Sequence, residues 1–504
     1  MVWSNTLSYL TTFNNIHHLD FLAGYEIDDT YNDYLSGEAY NFTTPDKHAI
    51  SNGMKTVSVG GSDSRYRLVS YLSRLNYDYK NKYYLGASFR VDGSSRLHRD
   101  NRWGTFWSVS GAWRTIEEEF MQPVKDWLTD LRIRASYGVN GTLPSDYFGY
   151  MGLSSISGGY LEQPGIQMSQ IANPNLKWET NYNMNIGLDF GFWDRLNFTI
   201  EYYTRTTKNL LMDCPVSMTT GFSSYLMNIG EVKNKGIELT INSTNIKIKD
   251  FSWNTTFNLG HNSNKVVKLD GEQTQIVSGT QIHKVGSSYR TFYVQEFAGI
   301  NPETGNPLFY TNELDENGNY IKEITENSKN AQFIPYKHAE PTVNGGISNS
   351  LRYKWLDLNF LFSYQFGGYS YDTWAQKTEH GGYDSYANIP TYYRDSWKKP
   401  GDQTNIEVYM PGKSSSVSMH KITSSRRIHS TDYFRLKNIT FGITLPKEWT
   451  NKINIGNVRI YASASNLWTW AAYNNYDPEA VSAGSATQTT PPLKTVTFGL
   501  NINF

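Results

Sequence analysis

From Thr495 to Phe504 the chain is apolar at every even position: Val496, Phe498, Leu500, Ile502 and Phe504 alternate with Thr495, Thr497, Gly499, Asn501 and Asn503. Successive side chains of a β-strand point to opposite faces, so one face of this segment is greasy and the other polar or small. The chain stops on the aromatic residue itself. That pattern fits the C-terminal assembly strand of a membrane barrel, with lipid on the apolar face and a lumen on the polar one.

The same alternation recurs along the chain. In 182–190 the even residues Tyr182, Met184, Ile186, Leu188 and Phe190 are apolar, and Leu196, Phe198, Ile200 and Tyr202 repeat the pattern after a short turn. Later come Ile237/Leu239/Ile241, Phe251/Trp253/Phe257/Leu259, Val343/Ile347, Leu356/Leu358/Phe360/Phe362, Ile439/Phe441/Ile443/Leu445 and Val458/Ile460/Ala462/Ala464. Earlier strands are expected at 4–13, 17–26, 65–79, 82–92, 103–114 and 130–139. With the last strand the total is about fifteen, most near the length of a tilted transmembrane β-strand. The fold class expected is therefore all-β, an antiparallel transmembrane β-barrel with long extracellular loops.

Composition is compatible with this reading and excludes helical spans. Hydrophobic residues make up 38% of the chain and mean hydropathy is −0.55. No apolar run is long enough for a membrane helix. A barrel escapes that limit because only alternate strand residues meet lipid. The 37 Tyr and 14 Trp suit two interfacial girdles. They also suit a soluble all-β glycan-binding protein, the rival reading on composition alone. Lys and Arg (46) balance Asp and Glu (47), so no nucleic-acid partner is expected. A single cysteine, Cys214, excludes an internal disulfide.

Connection lengths add an orientation. Short links near 14–16, 80–81, 191–195, 245–250 and 353–355, with modest ones at 115–129 and 446–456, alternate with long ones at 27–64, 93–102, 140–179, 205–230, 262–340, 366–432 and 467–492. Outer-membrane barrels alternate tight periplasmic turns with long extracellular loops, which places the C-terminus on the periplasmic side. An odd strand count starting outside, and a Met1-Val-Trp-Ser-Asn-Thr start without the look of a signal peptide, lead to the expectation of a C-terminal fragment. Residues 116–128 carry apolar side chains at roughly helical spacing and are expected as a short rim helix. Extra strands are expected around 289–299, because 262–340 is too long for an idle loop.

Several segments together resemble the SusC/RagA type of TonB-dependent outer-membrane transporter. They are Tyr83-Tyr-Leu-Gly-Ala-Ser-Phe-Arg-Val-Asp-Gly-Ser-Ser95, Ser110-Gly-Ala-Trp-Arg114, Leu131-Arg-Ile-Arg-Ala-Ser-Tyr-Gly138, Asn173-Pro-Asn-Leu-Lys-Trp-Glu-Thr180, Asn228-Ile-Gly-Glu-Val-Lys-Asn-Lys-Gly-Ile-Glu238, Tyr433-Phe-Arg-Leu-Lys-Asn-Ile-Thr440, Ala464-Ser-Asn-Leu-Trp-Thr-Trp470 and Tyr476-Asp-Pro-Glu479. The resemblance implies a barrel of about 22 strands around an N-terminal plug. It also implies a SusD-like lipoprotein lid, energy relayed by the TonB complex through an N-terminal part, and import of oligosaccharides or peptides across a Gram-negative outer membrane. Residues 1–504 are then expected to be the C-terminal portion of that barrel, with the plug absent from this stretch. A passive porin is a further alternative.

No catalytic constellation stands out: there is no H-E-x-x-H, no G-x-S-x-G and no Gly-rich phosphate loop. The chain is expected not to be an enzyme and to need no cofactor. Asp315-Glu-Asn317-Gly-Asn319, with Glu326 beyond it, resembles a degenerate calcium loop; Tyr320 stands where an EF-hand needs glycine, so a plain turn is favoured. The richest candidate surface is the 366–400 connection, where Tyr369, Tyr371, Trp374, Tyr383, Tyr386, Tyr392, Tyr393 and Trp397 accompany Asp372, Asp384 and Arg394. Aromatic faces stack on sugar rings while polar groups bond hydroxyls. Tyr and Trp equally mark protein interfaces, so contact with the lid is ranked ahead of contact with ligand. Trp355, Trp449 and Trp468, near strand ends, are expected to anchor the girdles.

Overall fold

The structure is a computed structural model. It describes residues 1–503 except 45, 48, 161–162, 270–273, 384–387, 413–421, 451, 453–454 and 488, so Phe504 lies outside the described residues. One sheet of fifteen strands runs in chain order. The strands are β1 (Val2–Phe13), β2 (His17–Phe42), β3 (Gly53–Tyr79), β4 (Tyr83–Ser94), β5 (Trp103–Trp113), β6 (Leu128–Thr142), β7 (Glu179–Phe192) and β8 (Leu196–Lys208). They continue with β9 (Glu231–Lys247), β10 (Phe251–Lys268), β11 (Val343–Tyr353), β12 (Leu356–Phe366), β13 (Tyr433–Thr444), β14 (Asn457–Ala471) and β15 (Thr495–Asn503). Each corresponds to a strand expected from the alternation.

Tight links follow from backbone chemistry. Asn14–Asn15, Lys80–Asn81 and Trp193–Asp194 each carry two consecutive positive φ angles. Two-residue turns of this handedness match the twist of the strands they join, and Asn and Asp tolerate the left-handed region best. Two expectations are corrected. β2 and β3 are far longer than expected, pairing out to Phe42↔Gly53 within the supposed 27–64 loop. The 115–129 link forms 3₁₀ turns at Thr115–Glu117 and Glu119–Val124, not an α-helix; Pro123 sits inside the second and has no N–H to donate. The extra strands expected around 289–299 are present as Thr291–Gln295 and Phe297–Ile300, the former in a four-stranded sheet with Gln275–Ser278, Gln281–Lys284 and Phe333–His338.

The chain divides into two compact units: Met1–Glu118, Ile133–Asn185 and Arg205–Glu231 form one, and Glu119–Arg132, Ile186–Thr204 and Val232–Phe504 the other. In the first, the registers bring Leu7, Phe21, Ala23, Leu75, Leu85, Ala87, Phe89, Trp107 and Val109 to one face of β1–β5. That face is exposed: Leu7 is 69%, Leu85 61% and Phe89 49% accessible. The opposite face carries Asp20, Arg74, Asn76, Ser88 and Ser108, joined by Arg74 to Asp20 (3.0 Å) and Ser88 to Ser108 (2.7 Å). A small core of Leu97, Phe106, Leu176 and Trp178 closes the loops of this unit.

Two aromatic rows bound the apolar face. Trp3, Tyr25, Tyr71 and Trp103 form one, with neighbouring rings 5.1–6.4 Å apart. Tyr79, Tyr83 and Trp113 form the other, with His17 beside Tyr79. Tyr71 to Tyr79 and Trp103 to Trp113 span about 27–34 Å of strand, or roughly 21–26 Å of height at a typical barrel tilt. That is the height of a lipid-facing band.

The second unit repeats the pattern on β10–β15. Phe257, Ile347, Phe362, Leu436 and Trp468 share a face, as do Ile460, Leu500, Ala462 and Phe498. Asp357 and Arg459 pair on the other face at 2.7 Å. Val496, Phe498 and Leu500 are 57%, 80% and 59% exposed, so the greasy side of the last strand faces away from the protein.

Candidate functional site

The described residues of the 366–432 connection belong to the second unit. Tyr369–Tyr371 pairs with Ile428–Ser430, and Asp372 then caps the helix Thr373–Thr378 by accepting the Ala375 N–H at 2.8 Å. The other Asp372 oxygen accepts from Tyr473 Oη (2.7 Å) and Asn475 Nδ2 (3.0 Å). Asp372 is fully buried, and every partner named here donates to it, so its carboxylate is satisfied without water. The loop is further docked on a second connection: Trp397 Nε1 donates to Pro302 O at 2.7 Å, and Val408 N to Gly305 O at 2.9 Å.

An ion-pair knot lies beneath. Arg427, fully buried, donates to a Glu379 carboxylate oxygen and to the Glu379 backbone carbonyl; Arg426 and Tyr392 Oη donate to the same carboxylate. Burial first, then the bond to Glu379, pushes the Tyr392 phenol well above its ordinary range. Burial and the neighbouring Asp372 do the same to Tyr473, and burial lifts Tyr476 to about 12. These phenols therefore stay neutral donors. Burial lowers the His429 pKa, and its ring stacks on Tyr473 with centroids 3.7 Å apart.

The candidate residues separate by exposure. Tyr371, Asp372 and Tyr393 are buried and hold the loops together. Tyr369 and Trp397 are half-buried, while Trp374, Tyr383, Tyr392 and Arg394 reach the surface. Asp384 and Tyr386 lie outside the described residues. The exposed members offer ring faces and one guanidinium, which suits stacking and hydrogen bonding more than bond-breaking chemistry. Glu379, Arg427, His429, Tyr473 and Asn475 were not singled out from sequence. One signal did point nearby: Arg435, in the segment Tyr433–Thr440 quoted above, meets Asp477 at 2.5 Å and Glu479, and Tyr433 Oη donates to Glu479 at 3.0 Å. Two motifs remote in sequence are one structural unit.

At the degenerate calcium loop, Asp315 Oδ1 accepts the backbone N–H of Asn317 (2.9 Å) and Asn319 (2.8 Å), which holds its carboxyl below the usual range. Glu326 belongs to a different turn, accepting from Thr304 (2.6 Å) and Asn306 (3.1 Å). Trp355, Trp449 and Trp468 are exposed at 41%, 57% and 50%.

The sequence model of the family described as "TonB dependent receptor-like, beta-barrel" matches residues 2–312. The chain belongs to this family. Among curated relatives, TonB-dependent receptor P3 of Formosa agariphila is 32% identical over 99% of this chain and 52% of its own length. TonB-dependent receptor SusC of Bacteroides thetaiotaomicron is 30% identical over 94% of this chain and 47% of its own. The solved structure titled "Structure of the RagAB peptide transporter" superposes with a TM-score of 0.86 at 27% identity, covering all of this chain and 55% of that one. The chain thus spans about half the length of the relatives it matches, and its fold is that of a TonB-dependent receptor barrel of the SusC/RagA kind. The family is a class of transporters rather than enzymes.

Proposed function

We propose that this chain is the barrel portion of an outer-membrane importer of oligosaccharides or peptides, energised through TonB and covered by a SusD-like lipoprotein. The exposed apolar face of β1–β5, bounded by aromatic rows a membrane thickness apart, carries the membrane part of this reading. In water such a face is an aggregation liability; against hydrocarbon it is the low-energy surface. Similarity to SusC and to a structure titled as a peptide transporter supports the import part. The polar faces line the passage, and the aromatic loops of 366–432 meet lid and ligand at the mouth.

One substitution separates lipid from water. Phe89 is half exposed on the apolar face, so Phe89→Arg is nearly neutral in a soluble protein but costs about 2–4 kcal/mol at a bilayer midplane. Asn76→Arg on the polar face is the control. Loss of the heat-modifiable folded band for F89R alone supports the membrane reading; two neutral variants in detergent-free buffer favour the soluble glycan binder. For transport, whole cells carrying the full-length protein are compared with and without an uncoupler, with labelled oligosaccharide and labelled peptide. Uptake that survives the uncoupler removes TonB from the account.

A further inference from the structure

On the lipid-facing side of the first unit, just beyond the row of Trp3, Tyr25, Tyr71 and Trp103, the surface changes from aromatic to cationic. Arg65 and Arg67 follow Val69 and Tyr71 along β3 on the same face. With Arg102, Ser94, Ser95 and Trp103 they line a pocket of about 460 Å³. Asp29 bonds the arginines from β2, and Asp33 and Asp63 face each other two residues further along the same face. Asp29 accepts both Nε and Nη2 of Arg65 and also Nη2 of Arg67, so two guanidiniums share a single negative charge. Arg102 Nε has no hydrogen-bond partner. The charged side chains that line the pocket itself are Arg65, Arg67 and Arg102, and Arg65 and Arg67 are more than half exposed.

The pocket is held in shape by backbone. Ser95 N donates to Arg67 O at 3.0 Å and Arg67 N to Ser95 Oγ at 2.9 Å, clamping Arg67 to the end of β4. Ser94 N donates to Arg102 O at 3.1 Å, which places Arg102 opposite. The Trp103 ring lies flat across Gly93, where an added Cβ would come within 2.7 Å of it, and forms the floor toward the aromatic row. Height decides what this pocket meets. Four residues separate Arg67 from Tyr71, about 14 Å of strand and roughly 10 Å of height. The headgroup layer begins just outside the hydrocarbon and is several ångströms deep, so the guanidiniums sit where lipid phosphates lie.

Resting on the membrane reading above, we propose that Arg65, Arg67 and Arg102 form a binding site for the phosphate of a membrane lipid headgroup, with Trp103 against the upper acyl or sugar portion. Guanidinium edges match phosphate oxygens in bidentate geometry, and a site at the boundary of a low-dielectric medium binds more strongly than one in open water.

The test uses the full-length protein, purified in detergent and reconstituted in vesicles of a galactosyl diacylglycerol, which carries no phosphate. Three probes are titrated against it: a diphosphorylated glucosamine-disaccharide lipid, its dephosphorylated form, and inorganic phosphate. Co-purifying lipid is counted by native mass spectrometry. Retention of the phosphorylated lipid is expected, with roughly thirtyfold weaker binding in the R67Q/R102Q variant. Phosphatidylglycerol in place of the glycolipid tells a general phosphate site from a glycolipid one, and binding of either supports the proposal. Equal binding by the dephosphorylated lipid, equal response to inorganic phosphate alone, or an unchanged R67Q/R102Q variant overturns it. Arg74→Gln, on the opposite face, controls for loss of charge. Heat-modifiable migration is scored on every sample: its presence without lipid binding sinks the site alone, and its absence in the wild type sinks the membrane reading first.

Discussion

The indole N–H of Trp253 donates to Asn349 Oδ1 at 2.9 Å, on the face of β10 and β11 that also carries Phe251, Phe257, Leu259, Ile347 and Leu351. Thr255 Oγ1 donates to the same oxygen at 2.7 Å and itself accepts from Asn245 Nδ2. Asn349 is 8% exposed, so a polar chain is threaded through a surface assigned to lipid, and each member has its partner in the protein. Hydrocarbon offers no substitute partner.

Asn349→Leu is therefore expected to destabilise, although it makes the face more apolar. It strands the Trp253 N–H and the Thr255 hydroxyl, at a cost of about 1–3 kcal/mol. Trp253→Phe in the same chain removes one stranded donor, and the double variant should recover part of the loss. Urea unfolding in detergent measures all three. Additive single effects would mean that the two side chains are not coupled.

The ion-pair knot in the 366–432 loops carries a different expectation. Arg427 is fully buried and Glu379 nearly so. Arg427→Leu leaves the Glu379 carboxylate short of its main counter-charge, a loss of about 3–5 kcal/mol. The effect should be local: the loops gain hydrogen exchange and protease cleavage while the folded barrel band persists. Glu379→Gln, which keeps an acceptor, should do less.

Those two cases mark what could be read from the chain. All fifteen sheet strands were legible because alternation is a direct consequence of a two-faced sheet. The distal parts of β2 and β3 were not, since 29–42 and 53–64 mix polar and apolar residues without a clean period, and it is backbone pairing that extends the hairpin. Buried charge was invisible for another reason. Glu379 and Arg427 are residue types that normally seek water, and only their meeting across 48 positions makes burial affordable. The crowd of aromatics around Tyr371 was visible as a cluster, but which rings point inward depends on that knot.

The same loops should be sensitive to acid. Burial depresses the His429 pKa, with Asp372 and Glu379 raising it and Arg427 and Arg426 lowering it. The unfolded histidine takes up a proton near pH 6.5 while the folded one resists until lower pH. Stability is then full above that value and falls as pH drops through it toward the folded pKa. Hydrogen exchange in 428–430 should therefore be faster at pH 5 than at pH 7.5 after correction for intrinsic rates. His429→Phe, which preserves the stack on Tyr473, should flatten the dependence; an unchanged slope would assign it to other groups.

The last prediction concerns the closing pair of strands. Gly499 on β15 faces Tyr461 on β14, whose ring lies across it where a Cβ would have to be. Arg459 stacks its guanidinium 5.3 Å from the same ring while pairing with Asp357, so Tyr461 is held from both sides and has little room to yield. Gly499→Leu must displace the ring or shift the strand. A one-residue slip would turn Val496, Phe498 and Leu500 onto the polar face, so the register has no cheap alternative. Slower assembly and loss of the heat-modifiable form are expected for G499L. Tyr461→Ala in the same chain makes room for the new side chain and should restore folding; failure to do so would show that the glycine is needed for some other reason than the ring above it.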